Sequence, residues 1–321
     1  MTRIINLEQI KEICQSIDFG PLIEEGFRAY SADQVVVPPV GEMSFTAPPG
    51  DTHIKYGYIK NDDCFVIKIA SGFYENPALG LPSNSGLMLV FSQKTGLLQT
   101  ILLDEGYLTD VRTAVAGRIA AKYLAPAEVE GIGIFGTGIQ ARLQALELRS
   151  LTPCRDLMVW GRNQERLEDY RISLEQEGFS VTTTSAPAAV ASACNLIVTA
   201  TPSAIPLLTA DLVRPGTHIT AMGSDTPLKQ ELDPDILARA DLVVADSISQ
   251  CRERGEICKA LEAGKLQEQN ILELGQIING RVPGRTTKDQ ITVADLTGVA
   301  VQDIQIAKAV CEGLDGSGEE E

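Results

Sequence analysis

The chain is poor in the residues that build metal and disulfide sites. It has two histidines, His53 and His218, and its seven cysteines are an odd number without a Cys-x-x-Cys pair. Disulfide frameworks need paired cysteines, and zinc sites combine cysteine and histidine at short spacings. We therefore expect free thiols in a reducing, cytoplasmic setting, and no metal site.

Positive charge and long apolar runs are also scarce. The chain has 27 Lys and Arg against 43 Asp and Glu, a net charge of −16. Such an acidic protein repels nucleic-acid phosphates and anionic lipid, so neither is an expected partner. No run approaches 18 apolar residues, and the start MTRIINLEQIKEI lacks the apolar stretch of a signal peptide. Against this background, clustered Lys and Arg would indicate a site for a small anion.

The first third of the chain combines helices with an antiparallel sheet. Apolar residues recur every three or four positions over 7–30, which predicts helix, and Gly20-Pro21 predicts a break within it. Alternating or apolar segments separated by turn signals then predict four strands. These lie at 53–59, 64–71, 86–92 and 97–103.

The pattern changes near Leu108. Thr109 or Asp110 is a candidate cap for an Ala-rich helix, RTAVAGRIAAKYLA. Short apolar strands then alternate with helices, which predicts a parallel sheet covered by helices. The predicted strands are 131–135, 157–160, 196–200, 218–221, 242–245 and 291–296. The predicted helices begin near Thr137, Gln164, Ala186, Thr209 and Asp235, with a last one after Gly298.

A glycine fingerprint joins the first of these strands to its helix. The sequence GTGIQA places Gly136, Gly138 and Ala141 at the three small positions of G-x-G-x-x-A. The first glycine permits a tight turn, the second lets backbone approach a pyrophosphate, and the third small residue lets helix pack on strand. Because a strand precedes the motif and a helix follows it, we predict dinucleotide binding.

The end of the next strand should select between NAD and NADP. An acid there would hold the ribose hydroxyls of NAD. Asp156 precedes its strand and so lies at the wrong end, whereas the correct end reads Trp160-Gly161-Arg162-Asn163. Arg162 either meets a 2′-phosphate or adenine, which favours NADP, or is a solvated turn residue.

Several separated segments share the pattern of one known family. They read VIKIASGFYENPALGLPSNSGLM, LTDVRTAVAGRIAAKYLA, GIFGTGIQARLQAL, VTATPS, HITAMGSDTPLKQELD, RGEI and LTGVAVQD. With them the chain resembles the ornithine cyclodeaminase/μ-crystallin family over nearly its whole length. The resemblance implies an α/β homodimer. A Rossmann domain (118–297) would be inserted into an α+β domain for substrate binding and dimerisation (1–117 plus 298–321).

The resemblance also implies site residues. The family's substrate lysine falls on Lys68, its carboxylate-gripping arginine on Arg112, and its catalytic aspartate on Asp225. Lys68 and Asp225 are the predicted catalytic residues, with Asp225 moving the proton on the substrate nitrogen. Ser85 is a further substrate candidate. The expected cofactor contacts are Arg112, Thr113, Gly136, Thr137, Gly138, Ile139, Gly161, Arg162, Thr201, Pro202, Ser203, Gly223 and Val299.

One position departs from the ornithine-cyclising members, which carry a glutamate thirteen residues before the strand lysine. A gap-free count places Lys55 there. The arginine that those members carry near position 44 is also absent, since this chain has Ser44. Two lysines would repel the distal amine of ornithine. With Arg112, and with His53 beside them, Lys55 and Lys68 suit a substrate with two carboxylates.

We therefore expect an NAD(P)-dependent enzyme acting on the C–N bond of a small amino or imino acid. Aspartate dehydrogenase/iminosuccinate reductase is the leading interpretation, in which Lys55 faces the substrate and is not an exposed strand residue. Cyclic ketimine (pyrroline-2-carboxylate) reductase and alanine dehydrogenase are the rival redox activities. An ornithine cyclodeaminase using NAD catalytically and a non-catalytic NADP or small-ligand binder remain as alternatives.

Overall fold

A computed structural model of the protein describes residues 2–73 and 75–317. The chain divides into two compact units. The first comprises Met1–Thr113 and Val299–Glu321, and the second comprises Ala114–Gly298. Each unit is built around its own β-sheet.

The sheet of the first unit has seven strands among the described residues. They are β1 (Arg3–Ile5), β2 (Val35–Val36), β3 (Gly41–Thr46), β4 (Pro49–Ile59), β5 (Cys64–Phe73), β6 (Asn84–Ser92) and β7 (Leu98–Leu102). The order is β1-β7-β6-β5-β4-β2, with β3 also paired to β4. All pairs are antiparallel except β1 with β7. The four predicted strands are present with shifted ends, whereas β1 and β3 were not predicted.

In the described part of this unit, three α-helices lie wholly within it: α1 (Leu7–Cys14), α2 (Phe19–Ser31) and α11 (Ala300–Ser317). The run is broken in two as predicted, but the break lies at 15–18, between α1 and α2, because Gly20 and Pro21 lie in the first turn of α2. Asp18 caps that helix by accepting a hydrogen bond from the backbone N–H of Gly20. Proline is tolerated in a first turn because its missing N–H would have no helical partner there.

Helix α11 packs against β4, β5 and β6, and against α2. It covers one face of the sheet, where Val66, Met88 and Val90 are buried. Gly26 lets α2 approach closely, since a Cβ there would lie 3.2 Å from the backbone oxygen of Val301. The covered face is therefore the hydrophobic core of this unit.

Helix α3 (Tyr107–Leu124) begins earlier than predicted. Thr109 and Asp110 lie inside the helix and do not cap it; instead, the carboxylate of Asp104, three residues before the helix, accepts a hydrogen bond from the backbone N–H of Leu108 at 2.9 Å. Gly106, at φ 90°, makes the turn that brings Asp104 to the helix start.

The second unit contains an eight-stranded parallel sheet among the described residues. Its strands are β8 (Ile132–Phe135), β9 (Asp156–Trp160), β10 (Ser180–Thr184), β11 (Leu196–Thr199), β12 (His218–Ala221), β13 (Leu242–Ala245), β14 (Ile271–Glu273) and β15 (Thr292–Asp295). Its helices are α4 (Ile139–Leu148), α5 (Gln164–Gln176), α6 (Pro187–Ala193), α7 (Pro234–Arg239), α8 (Ile248–Cys251), α9 (Gly255–Glu262) and α10 (Leu274–Ile278). The predicted parallel, helix-covered sheet is confirmed, although β10 and β14 were not predicted.

The strand order is β10-β9-β8-β11-β12-β15-β13-β14. From β8 the chain proceeds outward through β9 and β10, and then returns to β11 on the other side of β8. This is the topological switch of doubly wound sheets, at which ligands bind beyond the carboxyl ends of the strands. The glycine loop follows β8, so it lies at this switch.

One further sequence prediction for this unit is wrong. The segment near Thr209, predicted as helix, is a turn in which Leu212 N–H donates to Thr209 C=O.

His218, one of the two histidines, is a fully buried core residue, with both ring nitrogens within 2.9 Å of the hydroxyls of Thr220 and Thr292. Burial lowers the pKa of His218 to about 3, so the ring is neutral near pH 7.

Among the described residues, no helix is both long enough and apolar enough to cross a membrane.

Candidate active site

The glycine loop after β8 has the geometry that a dinucleotide needs. Gly136 has φ 120°, and a Cβ there would lie 2.7 Å from the backbone oxygen of Ala200, so no side chain fits. Its N–H donates to Trp160 C=O at 3.0 Å. The loop is thus held against the ends of both neighbouring strands, β9 and β11.

The helix that follows offers an open N-terminus. Gly138 is the N-cap of α4, and a Cβ at Gly138 would meet nothing within 4 Å. Ile139, the first helical residue, is 58% exposed. The first N–H groups of an α-helix lack helical partners and carry partial positive charge. These residues therefore fit a pyrophosphate, which glycine-rich loops of this kind bind.

The end of β9 forms the next part of this edge. Gly161 is buried, and a Cβ there would press on Leu167 and Thr137 at about 3 Å. Arg162 is exposed, and Asn163 caps α5 through the backbone N–H of Arg166. The position that contacts the adenosine ribose in related folds is therefore occupied by a guanidinium, and not by a carboxylate.

Four further predicted cofactor residues lie beyond the ends of β11 and β12. Thr201 is buried, Pro202 is exposed and Ser203 is half-buried. Gly223 follows β12 so closely against this loop that a Cβ would lie 2.3 Å from Thr201 O. Thus the structure brings the Thr201 and Gly223 loops together at the carboxyl edge of the sheet.

Asp225 lies in the loop after β12. Its carboxylate accepts a hydrogen bond from Lys229 Nζ at 2.6 Å, and its side chain is 40% exposed. Arg254 Nη1 approaches the backbone oxygen of Asp225 at 3.5 Å. The residue predicted to be catalytic is therefore accessible, at the edge of the sheet where doubly wound folds bind ligands.

The first unit carries the predicted cations. Lys55 on β4 lies directly opposite Lys68 on β5 in the antiparallel register. Directly opposed side chains project from the same face, with their Cβ atoms about 5 Å apart. Lys55 is 7% exposed and Lys68 2%, so neither is a solvated strand lysine. Burial, with a contribution from the charge of Arg112, lowers the pKa of Lys68 to about 8.

A carboxylate that sequence reasoning missed balances part of this charge. Asp303 on α11 is 1% exposed; one oxygen lies 3.4 Å from Lys68 Nζ and the other 3.0 Å from Arg112 Nε. Gln302 Oε1 accepts a hydrogen bond from Arg112 Nη1 at 2.7 Å and from the backbone N–H of Val299. The guanidinium is therefore fixed by two consecutive residues of α11.

The remaining predicted residues of this unit are His53 on β4, Ser85 on β6, Thr113 on α3 and Val299, just before α11. His53 lies opposite Glu42 in the β3–β4 register, with its Nε2 3.8 Å from a Glu42 oxygen. Ser85 on β6 is exposed. Thr113 donates its hydroxyl hydrogen to Thr109 C=O at 2.7 Å, within α3. Val299, at 1% exposure, is buried next to the start of α11.

The missed residues are acids within segments that carry the family motifs. Asp303 follows LTGVAVQ, Glu231 follows LKQ, and Glu256 lies in RGEI; all three are at most 1% exposed. Since acids are rarely buried without partners, acids inside buried segments mark polar networks. Which partners they meet is decided by the tertiary fold.

The whole described chain matches one family model. The model of the ornithine cyclodeaminase/mu-crystallin family covers residues 2–318. The chain belongs to this family. The family resemblance seen in the sequence motifs is thereby confirmed.

Individual relatives and solved structures are similar to this chain over most of its length. A Rhizobium meliloti (strain 1021) protein with a provisional dehydrogenase name is 44% identical over 287 residues, 89% of this chain and 87% of the relative. The iminosuccinate reductase of Paracoccus denitrificans (strain Pd 1222) is 32% identical over 261 residues, 80% of each. The structure of an archaeal alanine dehydrogenase dimer with bound NAD is 31% identical, with a TM-score of 0.89 over 99% of this chain and 97% of that one. These relatives confirm the predicted fold class and the prediction of an enzyme of the amino-acid dehydrogenase or imine-reductase class.

Proposed function

We propose that the protein is an NAD(P)H-dependent reductase of a small imino acid, with the reverse oxidation of the amino acid as its dehydrogenase activity. Reduction of the C=N bond consumes one hydride and one proton. A bound nicotinamide cofactor supplies or accepts the hydride. The protein's own residues must hold the carboxylates of the substrate and move the proton on nitrogen.

The second unit supplies the cofactor groups in this proposal. The N–H groups at the start of α4 hold the pyrophosphate, and Gly138 leaves room for it. Arg162 faces the adenosine end and favours NADP(H), whereas the archaeal relative was solved with NAD. Asp225 carries the proton to or from the substrate nitrogen, which is the role of a general acid–base.

The first unit supplies the substrate carboxylate sites. Arg112, fixed through Asp303 and Gln302, grips one carboxylate with its planar donors. Asp303 neutralises one unit of the charge of Arg112 and Lys68, and Lys55 adds another cation beside Lys68. Three buried cations in this unit, Lys55, Lys68 and Arg112, would suit a substrate that carries more than one carboxylate, because a carboxylate makes strong hydrogen bonds to charged donors.

The substrate class proposed is therefore a dicarboxylic imino acid, iminosuccinate, with aspartate as its reduced form. The observation that carries this choice is the pairing of Lys55 with Lys68 on the buried face. A cyclic ketimine or the imine of pyruvate has one carboxylate and leaves Lys55 without a role. The named iminosuccinate reductase among the relatives supports the same choice.

The direct test is consumption of NADH and NADPH with oxaloacetate plus ammonia. Pyruvate plus ammonia, pyrroline-2-carboxylate and ornithine are run in parallel. Faster ammonia-dependent turnover with oxaloacetate supports the dicarboxylate proposal, and the two coenzymes are ranked in the same assay. Preference for pyruvate or the cyclic imine assigns the chain to those branches. Ornithine conversion without net NAD(P)H change indicates a cyclodeaminase, and no turnover of any substrate indicates a binding protein.

Replacing Lys55 with methionine should change selectivity. Removing one charged hydrogen-bonding partner costs roughly 1.5–3 kcal/mol, so we expect kcat/KM for oxaloacetate plus ammonia to fall about tenfold to a hundredfold. The value for pyruvate plus ammonia should stay within about threefold, since one carboxylate remains bound. The control is Lys60→Met, an exposed lysine whose Nζ donates to Asp33 C=O. Equal losses for both substrates would contradict the assigned role of Lys55.

The uncovered face of the first sheet supports a homodimer. It carries large apolar side chains that are only partly buried, including Tyr56 at 38% exposure and Tyr58 at 36%, and Phe65 stacks on Phe91 with ring centroids 4.8 Å apart. Extended apolar faces of this kind mark protein interfaces, and two-fold dimers are the commonest assemblies. We expect light scattering to give twice the chain mass of 34.5 kDa. Tyr56→Glu should shift the mass toward the monomer; a wild-type monomer would refute the dimer.

A further inference from the structure

Glu231 joins two loops of the second unit. It is fully buried in the segment between β12 and α7. Its Oε1 accepts hydrogen bonds from the backbone N–H and the hydroxyl of Thr201, both at 2.7 Å, and its Oε2 accepts one from the N–H of Gly223 at 2.9 Å. One carboxylate therefore connects the loop after β11 to the loop after β12.

A second buried carboxylate supports the first. Glu256, near the start of α9 and 1% exposed, accepts hydrogen bonds from the backbone N–H groups of Glu231 at 2.7 Å and Leu232 at 3.0 Å. Burial raises the pKa of Glu231 to about 7; burial and the charge of Glu231 raise that of Glu256 to about 8. Burying two neighbouring acids costs free energy. A contribution to stability alone therefore does not explain why both are present.

The two loops pack closely against each other at Gly223. A Cβ on Gly223 would lie 2.3 Å from Thr201 O and 2.5 Å from Glu231 Oε2. Two residues after Gly223 comes Asp225. The position of Asp225 is thus set by a loop that Glu231 holds from one side.

We propose that Glu231 is a positioning residue, which holds the Thr201 and Gly223 loops at the spacing required for turnover and thereby places Asp225. Glu256 acts indirectly, because its carboxylate holds the backbone of Glu231. The inference rests on the proposed function in one respect, that these loops face the cofactor and substrate.

The hydrogen-bond pattern gives a selective variant. Both oxygens of Glu231 accept from backbone N–H groups, which cannot reverse. Glutamine has nearly the same shape but offers one oxygen and one N–H₂ group. In Glu231→Gln, one backbone donor therefore faces another donor, and one of the two loops loses its anchor.

The experiment compares Glu231→Gln with the wild type and with Asp241→Asn. Asp241 accepts a hydrogen bond from the N–H of Ile291 at the opposite edge of the same sheet. We expect kcat of Glu231→Gln to fall about tenfold to a hundredfold, as for small misplacements of reacting groups, with KM for the imino acid changed less than threefold. Amide hydrogen exchange should rise in 199–205 and 221–226. Asp241→Asn should leave all three readouts at wild-type values.

A second pair of variants decides the matter if Glu231→Gln does not fold. Thr201→Val removes the hydroxyl bond to Glu231, whereas Thr201→Ser keeps it; the valine variant should lower kcat more than the serine variant does. Wild-type kcat and exchange in Glu231→Gln, or equal kcat in the two Thr201 variants, would overturn the proposal. If the wild type neither binds NADH nor turns over any imino acid, the proposed function fails, and the exchange comparison alone decides whether Glu231 holds the loops.

Discussion

Replacing Asp225 with asparagine should lower kcat by a factor of about 10² to 10⁴, the usual contribution of a positioned general acid–base. The amide keeps the shape of the side chain but cannot deliver or remove a proton. Because the carboxylate is 40% exposed and its ion pair with Lys229 Nζ lies at the protein surface, the substitution should cost little stability. Steady-state kinetics at saturating cofactor and imino acid measure the effect.

The matched control for this variant is Asp156→Asn. Asp156 is exposed at the first residue of β9, at the amino edge of the same sheet. We expect its kcat to equal that of the wild type, and NADH affinity to be unchanged in both variants. An Asp225→Asn enzyme with at least half of the wild-type kcat would remove Asp225 from the proton-transfer step and leave it as a loop residue.

The residues that could be predicted from the sequence are those that belong to a recognisable local motif. The G-x-G-x-x-A motif between an apolar strand and a helix predicted the loop at Gly136 and Gly138, and the structure shows that geometry at these glycines. Lys68 was assigned because the resemblance places the family's substrate lysine there, and the structure buries this residue to 2% exposure. The thirteen-residue count placed Lys55 beside it, and the register of β4 with β5 puts the two residues directly opposite each other.

The residues that sequence missed depend on long-range contacts. Asp303 meets Arg112, 191 positions earlier in the chain, only because α11 packs on the sheet. Glu231 was inside a quoted motif, yet its partners at Thr201 and Gly223 follow from the order of β11 and β12. The charge argument consequently counted the cations and omitted the acid between them. Asp104, 1% exposed, is a second acid whose charge acts on Lys68.

The largest stability effect expected is that of Asp303→Asn. This change leaves Lys68 and Arg112, both nearly fully buried, without the carboxylate that contacts them at 3.4 and 3.0 Å. Removing one partner of a buried ion pair costs about 3–5 kcal/mol, because the remaining charge stays desolvated. Urea denaturation should show this loss of unfolding free energy. The control Asp63→Asn removes the partner of Lys94 in an exposed ion pair, and should cost about 1 kcal/mol or less.

The same variant distinguishes substrate binding from scaffold. If the cations bind a dicarboxylate, a dianion such as malate should restabilise Asp303→Asn, by about 2.7 kcal/mol at a hundred times its Kd. The charge of Asp303 raises the pKa of Lys68 against the effect of burial, so its removal should lower that pKa further below about 8. The alkaline limb of kcat/KM should then move to lower pH, because Lys68 loses its proton earlier. Stabilisation by malate no greater than that by a monocarboxylate such as lactate would show that the buried cations serve the fold and a single carboxylate, and not a dicarboxylate site.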